Sequence, residues 1–130
     1  MSAKILIIEP DRRLGKIYHS SLSNLGYQVN HRLSAEAALK IMDLEIPDLI
    51  IIEPQLVKHG GFEFLYELRS YQDWQAMPVI INSFIPVEVL KYMHAALDQL
   101  GVVRQLYKPD TTLKQLTEVC QTVLQPNPST

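Results

Sequence analysis

Five polar side chains stand where a parallel sheet would gather them: Glu9, Asp11, Glu53, Ser83 and Lys108. Each sits at or just beyond the end of a short strand-like run: KILII before Glu9, LIII before Glu53, VIIN before Ser83 and VVRQLY before Lys108. A run as short and apolar as Leu49 to Ile52 reads as a strand buried on both faces. Open α/β sheets take their ligands at the carboxyl ends of such strands. Two or three carboxylates, a hydroxyl and an ammonium are therefore expected to meet at one edge. Taken singly, loop acids are mostly solvated and a lysine before proline is mostly surface. Their common placement makes them a candidate site.

The elements that must hold them alternate along the chain. Pro10 stops the first strand, because proline gives no ladder donor. Asp11 is placed to cap a helix with Leu14, Ile17, Tyr18, Leu22 and Leu25 inward, closed by Gly26. Residues 27–33 alternate as a strand nearer the edge, and Ser34 can cap a helix to about Leu44. After the third strand come a polar loop over 58–61 and a helix face of Phe62, Leu65 and Leu68. Residues 78–82 form a fourth strand, and Trp74 before it packs a loop. Pro86 opens a single helix with Val89, Leu90, Met93, Leu97 and Leu100 as its stripe, ended by Gly101. Residues 102–107 form the fifth strand. Asp110, Thr111 or Thr112 caps a last helix that buries Leu113, Leu116, Val119, Cys120 and Val123. Five strands alternating with five helices predict a parallel sheet with helices on both faces and right-handed crossovers. Residues 1–124 make up that unit, and 125–130 read as a tail or linker stump.

Composition narrows the function classes. The chain has 130 residues, 47% of them apolar, enough for one real core. A net charge of −2 gives no reason to expect nucleic acid or membrane as a partner. One cysteine excludes an internal disulfide and fits a reducing compartment. The first eleven residues are too short an apolar stretch for a signal peptide or a spanning helix, so a cytoplasmic location is expected. No glycine-rich nucleotide motif is present. His19, His31, His59 and His94 lie on different elements, which argues against a zinc site. His59 is the one that could approach Glu53.

From Lys4 to about Leu124 the chain resembles the receiver domain of two-component response regulators. The resemblance rests on KILIIEPD, PDLIIIEPQL followed by GGFEFL, PVIINSF and LYKP, at fitting separations. It implies a flavodoxin-like (βα)5 three-layer sandwich with strand order 2-1-3-4-5. It implies phosphotransfer from a histidine kinase to an Asp closing the third strand, with Mg²⁺ held by an acidic pair after the first strand. By that resemblance Glu9 matches the first acid, while Ser83 and Lys108 match the groups that contact the phosphoryl oxygens.

The departures from the family pattern are at the same site. Glu53 stands at the phosphoacceptor position and Pro10 at the second acid. Phe84 stands where a small residue leaves the site open, and Gln105 where an aromatic switch is common. A glutamate sets its carboxylate of order 1.5 Å further out, and a misplacement of about that size can cost on the order of 10²-fold in rate. Losing an acid at position 10 removes a hard oxygen ligand from a cation that tolerates poor geometry badly. Phe84 narrows the approach of a donor. Ordinary phosphorylation and tight Mg²⁺ binding are therefore not expected, nor is enzymatic activity.

A direct Glu53–Lys108 ion pair is expected instead, either imitating the phosphorylated form or simply balancing local charge. A carboxylate of −1 copies a phosphoryl group of nearly −2 poorly. The expected role is a pseudo-receiver that binds a protein partner or itself. The alternatives are a working receiver that uses Asp11 for metal or another acceptor, and a flavodoxin-like ligand-binding domain. The resemblance further implies an output face with Lys91, Tyr92, His94, Arg104 and Gln105. It implies a dock for a kinase or phosphotransfer protein on the first helix, with Arg12, Arg13, Lys16 and His19.

Overall fold

The computed structural model describes residues 2–56 and 60–125. Its five strands are β1 (Lys4–Ile8), β2 (Gln28–Arg32), β3 (Leu49–Ile52), β4 (Val79–Ser83) and β5 (Val102–Tyr107). They form one all-parallel sheet in the order β2-β1-β3-β4-β5. The helices are α1 (Arg12–Ser23), α2 (Ala35–Met42), α3 (Gly61–Leu68), α4 (Val87–Leu90), α5 (His94–Gln99) and α6 (Leu113–Leu124). The fold class and strand order are those the sequence led us to expect.

Alternation along the central strands builds two cores. Leu6, Ile8, Ile50 and Ile52 point to the side of α2 and α3, with Ala38, Met42, Phe64 and Leu68. Ile5, Ile7, Leu49 and Ile51 point to the side of α1 and α6, with Leu22, Leu116 and Cys120. Successive residues of a strand face opposite ways, so an unbroken aliphatic run fills both layers. Burial pushes the Cys120 thiol up to about 12.

The fourth helix differs from its expectation. The chain breaks into α4, a 3-10 turn over Lys91–Met93, and α5. Leu90, Leu97 and Leu100 stay inward, while Val89 is 53% and Tyr92 93% exposed. Pro86 at the cap position makes no side-chain capping bond, and two β-branched valines sit in a four-residue turn, which weakens it. Ile17, Leu25 and Leu113, expected inward, lie exposed on their helices or just beyond them. Gly26 lies two residues past the α1 cap, Asn24, at φ +97°.

Two further features were not legible. Val79 pairs with Val102 but Ile80 pairs with Arg104, so β5 carries one extra residue, Val103. That bulge reverses the alternation: Val102 belongs to the α2–α3 core and Leu106 to the α1–α6 core. Arg69, past the end of α3, donates to the carbonyls of Leu100 (2.8 Å), Trp74 (2.5 Å) and Met77 (2.6 Å). One guanidinium thus ties three segments below the sheet, and burial lowers its pKa.

Candidate functional site

Sheet pairing sets the two carboxylates side by side. The Glu9 amide donates to the Arg32 carbonyl at 3.0 Å and the Glu53 amide to the Ile8 carbonyl at 2.9 Å, each extending a ladder by one bond. Glu53 and Glu9 are 4% and 3% exposed. Lys108 begins a 3-10 turn directly after β5. Its long stem reaches back over the sheet, and Nζ lies 2.6 Å from Glu9 Oε1 and 2.9 Å from Glu53 Oε1. Burial alone would lower the Lys108 pKa. The hydrogen bonds and charges of Glu9 and Glu53 outweigh it and raise the pKa above the ordinary lysine value.

The remaining oxygens of the pair are also engaged. Ser83 Oγ donates to Glu53 Oε2 at 2.6 Å, and the Gln55 amide donates to the same oxygen at 3.2 Å. The Phe84 amide reaches Glu53 Oε1 at 3.3 Å. The Asp11 amide donates to Glu9 Oε2 at 3.1 Å. The Phe84 ring stands over the Lys108 ammonium, 4.7 Å from its centroid, a cation–π distance. It is 54% exposed and covers the ammonium on that side.

Glu9, Glu53, Ser83 and Lys108 therefore converge. Asp11 does not join them through its carboxylate: its Oδ1 accepts from the amides of Arg13 and Leu14 and caps α1. Gln105 lies on β5 opposite Ile81. His59 and Lys58, and the tail beyond Gln125, lie outside the described residues. Loop entry after Glu53 depends on Gly61, whose amide donates to the Pro54 carbonyl at 2.9 Å. A Cβ at Gly61 would come within 2.3 Å of Pro54 Cα.

Two supporting contacts escaped sequence reasoning. His31 Nε2 lies 2.9 Å from the Glu9 carbonyl oxygen and donates to it, holding the end of β1. Gly15 makes room: a Cβ there would fall 1.9 Å from His31 Cε1. A glycine inside a helical pattern was the available signal. Asn82, buried in β4, hydrogen-bonds Tyr18 on α1. Burial raises the Tyr18 pKa, Asn82 and Lys108 oppose that rise, and Glu9 and Asp11 add to it. Arg12, Arg13 and Lys16 share an open concavity with His31 and Leu33, which His19 does not line.

The donor set suits an ammonium and not a divalent cation. Each carboxylate oxygen of Glu9 and Glu53 already accepts at least one hydrogen bond. Asp11 is committed to its helix, Pro10 has no side-chain donor, and a positive charge already lies between the acids. Among the described residues no three Asp, Glu, His or Cys side chains are grouped to hold a metal.

The response regulator receiver domain model matches residues 5–121. The "Probable transcriptional regulator ycf27" of Cyanophora paradoxa is 32% identical over 78 residues, covering 60% of this chain and 31% of that protein. Its namesake from Cyanidium caldarium is 29% identical over 110 residues, covering 81% of this chain and 40% of the relative. The chain thus spans about a third of the length of these curated relatives. The structure of the Vibrio cholerae chemotaxis protein CheY4 at low pH superposes with a TM-score of 0.85 at 22% identity, covering 95% of this chain and all of that one. At that identity the likeness speaks for the fold.

Proposed function

Since the chain belongs to the response regulator receiver domain family, we propose that it works in two-component signalling as a pseudo-receiver, a protein-interaction module that needs no phosphoryl cycle. One observation carries this reading. Glu53 already holds Ser83 at 2.6 Å and Lys108 at 2.9 Å, the two groups that in the family pattern attend the phosphoryl oxygens. The carboxylate at the acceptor position is thus engaged by the groups that would otherwise greet an incoming phosphoryl group. Phe84 closes one side of the ammonium, and a module without a phosphoryl cycle needs no Mg²⁺.

The partner is a signalling protein: a histidine kinase, a phosphotransfer protein, a downstream effector or a second copy. Nucleic acid and membrane are not its targets, and no described helix is long and apolar enough to cross a membrane. A cytoplasmic site of action fits that role. The cations Arg12, Arg13 and Lys16 beside His31 suit an acidic partner surface.

Incubation with acetyl phosphate and Mg²⁺, read by intact mass, tests the reading. The wild-type chain is expected to gain no phosphoryl group. Glu53→Asp combined with Pro10→Asp is expected to restore some uptake. Stoichiometric phosphorylation of the wild type would overturn the assignment.

A further inference from the structure

We propose that the concavity between α1 and the end of β2 is a seat for a small phosphate ester, held by Arg12, Arg13 and Lys16 against His31 and Leu33. This goes beyond the pseudo-receiver reading and uses none of Glu53, Ser83 or Lys108. The hollow has a volume of about 480 Å³, within the range of small-ligand sites. Three cations of α1 line it together with His31 of β2 and Leu33 just beyond that strand. His31 is fixed before any ligand arrives. A Cβ at Gly15 would fall 1.9 Å from its Cε1, and its Nε2 lies 2.9 Å from the Glu9 carbonyl oxygen.

Charge identifies the occupant. The whole chain carries −2, yet three positive side chains meet here with no acid among the described lining residues. Arg12 and Lys16 stand four apart on α1 and Arg13 and Lys16 three apart, so like charges are neighbours. Arg12 and Arg13 also open the helix, at the end that favours negative charge. Both placements weaken α1, and an anion relieves both. Asp11 does not supply that anion, because its Oδ1 accepts from the amides of Arg13 and Leu14. With those amides taken, the side chains must hold the ligand. An arginine fork takes two phosphate oxygens at once, and lysine adds a point charge. A phosphate ester brings about −1.5 to −2 and three acceptor oxygens at neutral pH, which suits three cations better than a single carboxylate does. Half-buried Leu33 offers apolar surface to the organic part. A hollow of small-ligand size favours a small molecule over the face of an acidic protein.

Phenyl phosphate is the probe, titrated into the full chain by proton–nitrogen NMR at constant ionic strength and neutral pH. Saturable shifts of the Arg13 and Lys16 amides and of the His31 ring are expected, with half-saturation at about 1 mM. Inorganic phosphate, which has no ring to lay on Leu33, should bind several-fold more weakly. Arg12→Gln with Lys16→Gln, both at exposed positions, should weaken binding about tenfold or more, as lost charge-assisted contacts do. Lys91→Gln with Arg104→Gln removes equal charge from exposed positions elsewhere and should leave binding unchanged. Shifts still linear at about 20 mM overturn the proposal. So does equal weakening by the two double variants, which marks diffuse attraction, or equal binding of inorganic phosphate. A glutamate-rich peptide that moves these signals where phenyl phosphate does not also overturns it and marks a protein dock. Phosphoryl uptake from acetyl phosphate by the wild type would sink the pseudo-receiver reading and leave the seat standing. Unsaturable phenyl phosphate shifts would do the reverse.

Discussion

The ammonium of Lys108 lies closer to Glu9 on the first strand than to Glu53 on the third, 2.6 Å against 2.9 Å. Its charge is thus shared between two strands, and the residue at the acceptor position is only half of its company. A buried arrangement of this kind is costly to break from one side, because the partners left behind keep their charge.

Lys108→Met is accordingly expected to lower unfolding stability by about 3–5 kcal/mol, the range for leaving buried charge uncompensated. Glu9→Gln and Glu53→Gln should each cost less, since one carboxylate still balances the ammonium. The triple change should recover much of the loss of Lys108→Met. Urea titration at neutral pH checks the series. Additive losses, with the triple variant the least stable, would contradict a coupled trio.

Alkaline pH probes the same trio with a definite sign. The folded-state pKa of Lys108 is raised above its ordinary value of 10.5 by Glu9 and Glu53, against the pull of burial. Its contribution to stability is then complete below about 10.5 and disappears as pH climbs through the folded value. Tyr18, also raised, loses its contribution on the same side. Subtracting the profile of Lys108→Met isolates the lysine. The difference between the two proteins should hold constant from pH 7 to about 10 and narrow above that. A difference that shrinks between pH 7 and 9 would contradict it.

Gly61→Ala tests the loop that leaves Glu53. Its new methyl group would meet the Pro54 backbone at 2.3 Å, and backbone cannot rotate aside. A loss of roughly 1–3 kcal/mol is expected, typical of overpacking. Urea titration with a loss below about 0.5 kcal/mol, the range of inert surface changes, would show that the loop gives way.

Cys120 offers a readout of the whole fold. The thiol is fully buried and its pKa is pushed up to about 12. A thiol-specific reagent at pH 8 is expected to label it only as fast as the chain opens. Labelling in seconds under native conditions would mean that α6 detaches locally.

The layers, the strand order and the four converging side chains could be read from residue types because each depends on local patterns. Continuous aliphatic runs announce doubly covered strands, and a polar residue directly after each run marks the shared edge. What stayed hidden depends on neighbours distant in sequence. Nothing near Val103 announces a bulge, because the extra residue is defined only against β4. Nothing near His31 or Asn82 says that their partners are the Glu9 carbonyl and Tyr18. The fourth helix misled for the opposite reason. Its apolar spacing is genuine, but a turn carrying Val87 and Val89 without a side-chain cap does not hold one continuous cylinder. Asp11 was ambiguous between helix cap and site acid, and its position one residue past Pro10 decided for the cap.

On the pseudo-receiver reading proposed above, the doubly held lysine also limits how such a chain would regain phosphotransfer. Shortening Glu53 to aspartate would leave the ammonium clasped by Glu9. Placing an acid at position 10 would set it beside a charge already satisfied. On that reading neither change alone is expected to restore a working centre, so no single substitution would offer selection a foothold. The clasp would then act as a latch, reopened only by several steps taken together.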